Sequence, residues 1–245
     1  MSWLLVGFAR CGPARYMSHL DTARVVQRTF ARAGIALALS QGMRPKPRLS
    51  LPLPLPTGAA GDDELAVVGV SDAGGGLDAT DSERLRALRE AAPGGIVWRW
   101  LVGSGERPRP QAVAATYDCR LPARPERVDE ALEWFAAEPA VTVVRDAPKG
   151  RRVVEVKKYV TELATSPWGD DTRLAFTLRY GPAGAARVDE VVAALAGRLG
   201  IEPVVLDLTR RCVEWQGLPP GLLAPGAAGL PGRADPGPEE GLPVG

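Results

Sequence analysis

Few folds can accept residues 49–56, LSLPLPLP. Proline fixes φ and has no N–H to give, and the residue before each proline is held extended. In an extended chain Leu49, Leu51, Leu53 and Leu55 point to one side, and Ser50, Pro52, Pro54 and Pro56 to the other. Backbone N–H groups alternate in the same way. The prolines therefore delete donors from a single edge, and the leucine amides on the opposite edge can still pair. The pattern predicts a half-paired edge strand with its leucines turned inward, with a polyproline ligand as the alternative.

The segments around this run set the fold class. WLLVGFAR (3–10) reads as a strand. In MSHLDTARVVQRTFARAG, Ser18 and Asp21 have capping-box spacing and Gly34 sits where a helix stops. Leu20, Ala23, Val26, Phe30 and Ala33 recur at helical steps and predict the buried face. IALALS, the Pro/Leu run and DELAVVGV read as strands, DSERLRALREAA as a helix and GIVWRWLVG as a strand. Apart from the short strand IALALS, the order β-α-β-β-α-β is that of a ferredoxin-like unit. After SGERPRPQA the order begins again: strand AATYDCRL, helix RPERVDEALEWFAAE, strand AVTVVRD, strand-like runs RRVVEVKKYVTELATS and TRLAFTLRY, helix ARVDEVVAALAGRLG and strand PVVLDLTRRCVEW. The expected architecture is α+β: two tandem ferredoxin-like units with antiparallel sheets, the second with an extra strand or a loop excursion in its middle. They occupy residues 1–103 and 113–216, with a linker at 104–112. Residues 217–245 hold 8 Gly and 7 Pro, a composition that predicts a disordered tail.

Charge is distributed unevenly. The chain carries 30 Lys and Arg against 29 Asp and Glu, yet up to Pro56 it has eight cations and only Asp21, so a net +7 there is offset by −6 in the remainder. A basic N-terminal segment predicts an anionic partner, RNA or a ribonucleoprotein first among them. Arg24, Arg28 and Arg32 lie four apart on one helix face. Arg44, Lys46 and Arg48 alternate with Pro45 and Pro47, which stiffen the loop, and Gly42 allows the backbone to turn before them. With Arg15, these residues are the candidate nucleic-acid contacts. Tyr16 and Phe30 are the only aromatics between residues 11 and 60, too few for base stacking, so recognition should be of backbone and shape.

Catalytic motifs are scarce. There is no nucleophile elbow, Walker loop or dinucleotide fingerprint, and Asp62, Asp63 and Glu64 read as a solvated turn. VKKYVTEL reads as an exposed strand face. Cys11, Cys119 and Cys212 are too far apart for a zinc knuckle or an iron–sulfur motif and read as small hydrophobes. No metal or cofactor is expected. The single histidine, His19, follows Tyr16 by three residues. Together they are the candidate acid–base groups for metal-independent RNA cleavage, and a packed histidine at a helix start is the plainer alternative. No apolar run reaches membrane-spanning length and no secretory signal is evident at the start, so the expected location is the cytoplasm, with no membrane partner.

RYMSHLDTARVVQRTFARAGIALALSQGMRPKPRLSLPLPLPTG resembles the signature of the radical S-adenosylmethionine-linked proteins, a bacterial family with a DUF2344-type domain of unknown function. The matching positions are Arg15, Tyr16, Ser18, His19, Leu20, Asp21, Ser40, Gly42, Pro45, Pro47, Arg48 and Ser50, and the resemblance extends over roughly residues 3–215. Ser18, Asp21, Gly42, Pro45 and Pro47 are expected to be structural. The family usually has Phe at Met43, a small polar residue at Arg44 and often His at Lys46, so this loop is more basic and lacks a second histidine. The resemblance implies a radical S-adenosylmethionine enzyme as partner, because members stand alone or fused behind one. It further implies proximity to RNA metabolism, because the family's genes commonly neighbour ribonuclease and ribosomal-protein genes. The chain has no C-x-x-x-C-x-x-C and cannot hold that enzyme's cluster itself. The expected function is that of an accessory protein binding RNA or a ribonucleoprotein. An endoribonuclease using His19 and a protein-binding adaptor are the alternatives.

Overall fold

The computed structural model describes residues 2–71, 81–148, 150–182 and 184–218. Residues 219–245, which make up most of the expected disordered tail, and the expected loop at 72–80 lie outside them. In order, the elements are β1 (Ser2–Arg10), α1 (His19–Arg32), β2 (Leu49–Ser50), β3 (Ala60–Val70), α2 (Asp81–Glu90), β4 (Ile96–Ser104), β5 (Gln111–Leu121), α3 (Pro125–Ala137), β6 (Thr142–Ala147), β7 (Gly150–Glu155), β8 (Val160–Trp168), β9 (Asp171–Arg179), α4 (Val188–Leu199) and β10 (Leu206–Gln216). The architecture is mixed α+β, and its main sheet is mostly antiparallel.

Strands from both halves of the sequence share that sheet, in the order β4-β1-β3-β10-β5-β9-β8, with β2 beside β3 and the β6–β7 hairpin separate. The halves meet at the parallel pairing of Thr209 with Ala60 and Arg210 with Gly61. β1 is buried along nearly its whole length because both of its faces are covered. Leu4, Val6 and Phe8 pack with Val26 and Phe30 of α1, Leu88 of α2 and Trp98. Trp3 and Leu5 face the other way, onto Leu65, Val67, Trp100 and Trp215. A second core gathers Tyr117, Phe176 and Leu178 under Val128 and Phe135 of α3 and Val191 and Leu195 of α4.

Four expectations are corrected. The inward stripe of α1 is Thr22, Val26, Thr29 and Phe30, and Leu20 is exposed. The helix is turned so that the Thr22 hydroxyl can accept from Arg10 at 3.0 Å. IALALS makes isolated bridges only, Leu37 to Val70 and Leu39 to Pro47. The Pro/Leu run is a strand at Leu49–Ser50 alone, paired with Val67 and Val68. Beyond it the leucines do turn inward, but to different places: Leu49 and Leu51 enter the first core, Leu53 and Leu55 the second. Finally, RRVVEVKKYVTELATS is interrupted by a 3-10 turn at Val156–Tyr159, where the chain leaves the β6–β7 hairpin for the main sheet.

Candidate nucleic-acid interface

The Pro/Leu run poses a hydrogen-bonding problem that two arginines solve. Without strand partners, its carbonyls need donors, and a buried carbonyl left alone costs about 1–3 kcal/mol. Arg210, in β10, donates to Leu53 O at 2.9 Å and Pro54 O at 3.1 Å. Arg10, the last residue of β1, donates to Pro56 O at 2.9 Å and Ala59 O at 3.1 Å, and also to Met17 O at 3.0 Å. Both guanidiniums are almost fully buried, at 1% exposure. Arg15 extends the clamp by donating to Gly58 O at 2.7 Å. Five N–H donors on a rigid fork suit arginine to this work.

The Arg210 charge in the clamp is balanced by a carboxylate expected to be in solvent. Asp62, Asp63 and Glu64 belong to β3 and are not a solvated turn: Asp62 pairs with Arg211 at 2.9 Å, Asp63 accepts from Val213 N–H, and Glu64 takes a bidentate pair from Arg210 at 3.0 and 2.5 Å. Burial works against the Arg210 charge, and Glu64 more than offsets it, so that guanidinium stays firmly protonated. For Arg10 burial wins: its pKa is lowered, with Glu64 opposing and Arg210 reinforcing the shift. Burial likewise raises the Asp63 carboxyl. Glu64 reaches Arg210 over the backbone of Gly61, where a Cβ would lie 2.3 Å from its Oε1.

His19 opens α1 and is exposed, as is Tyr16. Ser18 caps the helix by accepting from Asp21 N–H at 3.1 Å, and it donates its own proton to Asp21 at 2.7 Å. His19 lines a cavity with Arg10, Thr22, Leu51 and Glu64, but the volume is about 10 Å³, room for a single water. The cavity cannot hold a phosphodiester.

The expected cationic contacts divide into two groups. Arg24 pairs with Asp21 at 2.9 Å, Arg32 donates to Ala91 O at 2.7 Å, and Arg48 to Leu39 O at 3.3 Å. Arg28, Arg44 and Lys46 are exposed and have no side-chain partner among the described residues. Residues 39–47 form a short hairpin on the edge of the sheet, closed by Ser40 N–H to Lys46 O at 2.8 Å and by Lys46 N–H to Ser40 Oγ at 3.0 Å. Its base is tied to β3 through Ala38 N–H to Gly69 O and Gly69 N–H to Arg48 O. Gly42 turns it with φ 133°, a value favoured only by glycine. Met43, beside Arg44 near the tip, is fully exposed.

Another feature has no counterpart in the sequence reading. A cavity of about 530 Å³ opens between the Pro/Leu run and the second half, lined by Leu53, Pro54, Pro56 and Thr57 on one side and by Tyr117, Tyr180, Leu208 and the start of α4 on the other. The Tyr117 and Tyr180 hydroxyls are 2.8 Å apart. Burial, reinforced by Tyr117, raises the Tyr180 phenol, which stays protonated. Among the described residues no cluster of His, Cys, Asp and Glu is set to hold a metal ion, and no helix is long and apolar enough to cross a membrane. Of the cysteines, Cys119 is buried and Cys11 exposed; burial, with Asp118 adding to it, pushes the Cys119 thiol up to about 12.

Residues 4–188 match a protein family described as "Uncharacterized protein conserved in bacteria (DUF2344)". No curated protein matches. A solved structure, "Crystal Structure of a Cbf5-Nop10-Gar1 Complex", is similar at a TM-score of 0.41 and 11% identity, over 84% of this chain and 48% of that one. The present chain thus spans about half the length of the chain it resembles.

Proposed function

The chain belongs to the DUF2344 family, uncharacterised proteins conserved in bacteria, and from that premise we propose that it is a non-catalytic accessory protein that binds RNA or a ribonucleoprotein in the cytoplasm through its cationic hairpin. One observation carries this reading. Internal needs account for most cations of the basic N-terminal segment: Arg10 and Arg15 serve backbone carbonyls, as do Arg32 and Arg48. They do not account for Arg28, Arg44 and Lys46. Holding Arg44 and Lys46 on a proline-stiffened hairpin tied to β3 lowers the ordering cost of each phosphate contact. The scaffold is read as two ferredoxin-like units at 1–103 and 113–216. The orders β4-β1-β3-β2 and β10-β5-β9-β8 support that reading, as does the position of β6–β7 outside the main sheet. A radical S-adenosylmethionine enzyme as partner rests on the family resemblance alone, and co-purification from cells tests it.

Fluorescence anisotropy with a structured RNA at several salt concentrations is the direct test. Three free cations give a log–log salt slope of about −2 to −3. Arg44→Ala with Lys46→Ala should weaken binding and flatten the slope by about one unit per charge removed. No binding at low salt would overturn the proposal. The alternative reading, cleavage by His19 with Tyr16, draws on the exposure of both side chains at the start of α1. It requires cut RNA on a gel and loss of cutting in His19→Ala. A protein-binding adaptor would form a stable protein complex and show no RNA affinity.

A further inference from the structure

The 530 Å³ cavity has the size of a small-molecule site, and hydrogen-bond direction indicates what it takes. An arginine can only donate. Arg210 Nη1 lies 3.5 Å from the Tyr117 oxygen, so the lone pairs of that oxygen turn toward the guanidinium and its single proton turns away. The one acceptor placed for that proton among the described residues is the Tyr180 oxygen, at 2.8 Å. Tyr180 therefore accepts from Tyr117, and its own proton is left without an acceptor among the described residues. The chain of donors runs from the buried Arg210 outward and ends at Tyr180, in the cavity wall, as a hydrogen-bond donor for whatever enters.

The remaining wall narrows the class. Leu53, Pro54, Pro56, Val205 and Leu208 give broad apolar surface, suited to the faces of a flat ring. At the other side stand Arg187, the N-cap of α4, and Val188 and Asp189 of its first turn. The N–H groups of Val188 and Asp189 have no acceptor within the helix, as its geometry requires. Glu190 is withdrawn from this rim, because its carboxylate accepts from Arg187 N–H at 2.8 Å and pairs with Arg145 at 2.5 and 2.7 Å. Asp189 is the one carboxylate left in that lining, next to Arg187.

We propose that this cavity is a binding site for a heteroaromatic anion of mononucleotide size, its ring stacked on the proline–leucine wall, a ring carbonyl or ring nitrogen accepting the Tyr180 proton, and its anionic group at the Arg187 rim. The site lies apart from the cationic hairpin and does not depend on RNA binding there.

The test is calorimetric titration of the full chain with each of the four nucleoside 5′-monophosphates. Expected is saturable binding of at least one. Tyr180→Phe, which removes only the proton, should weaken it about tenfold, the worth of one hydrogen bond. Thr57→Trp, a change at an exposed residue of the wall, should fill the cavity and abolish it. Arg44→Ala with Lys46→Ala should leave it unchanged, which separates this site from the hairpin. Circular dichroism melts confirm that each variant is folded. No binding of any of the four at millimolar concentration overturns the proposal. So does binding that survives either Tyr180→Phe or Thr57→Trp, or binding lost with the hairpin charges.

Discussion

Glu64 is the residue on which the meeting of the two halves depends. It is 6% exposed, and its carboxylate is the ion-pair partner of the buried Arg210. Breaking a buried pair from one side leaves a charge without compensation, at about 3–5 kcal/mol. Glu64→Gln should lower stability by that amount in a denaturant titration, and a loss under about 1 kcal/mol would show that Arg210 finds charge compensation elsewhere. Gly61→Ala should reproduce part of the loss, since the new Cβ displaces the same carboxylate. None of this was legible locally. Asp62, Asp63 and Glu64 look like any acidic turn, because their partners Arg211, Val213 and Arg210 are 146 or more residues away. Arg10 did carry a signal: a cation ending the strand WLLVGFAR is either solvated or employed. What employs it, a set of carbonyls, has no sequence signature.

At the scale of elements, periodicity and caps were informative where the partner is nearby. Ser18 and Asp21 act three residues apart, and the cap they imply is present. Element order was readable for the same reason. The exceptions are segments whose conformation is set by distant groups: Leu20 of α1 gave way to Thr22 because Arg10 needed a hydroxyl, and the Pro/Leu run took carbonyl partners from two arginines in place of a strand. The start of α4 allows a test by pH. Burial raises the Glu190 carboxyl, but Arg145 and the Arg187 N–H outweigh it, so its pKa lies below the ordinary 4.5. A depressed carboxyl contributes stability that is complete above about pH 4.5 and is lost as pH falls through the folded value. Glu190→Gln should therefore melt below the wild type at about pH 7, and the gap should narrow as pH falls below the ordinary 4.5. A gap that persists in acid would assign the effect to shape and not to charge.

For the whole molecule, the shared sheet and the buried Arg210–Glu64 pair tie the halves together even if each is a ferredoxin-like unit. One cooperative transition is expected in guanidinium chloride. Tryptophan fluorescence samples both halves, through Trp98 in the first core and Trp134 in the second, and should coincide with the loss of far-ultraviolet circular dichroism. Two separated transitions would mean that the halves unfold independently. The charge imbalance belongs to this scale too. It was visible as +7 over residues 1–56, but a sequence does not distinguish a cation that holds carbonyls from one that faces solvent. The structure leaves three without partners among the described residues.

The arginine clamp also bears on how such a chain is made. Leu53 must remain without its donor until Arg210 has been synthesised, 157 residues later. At about 5–20 residues per second, that wait is roughly 8–30 s. Through that interval Leu53 and Leu55, which pack in the second core, stay uncovered on the nascent first half. Newborn chains of this protein should depend on holding chaperones for as long as β10 has not emerged.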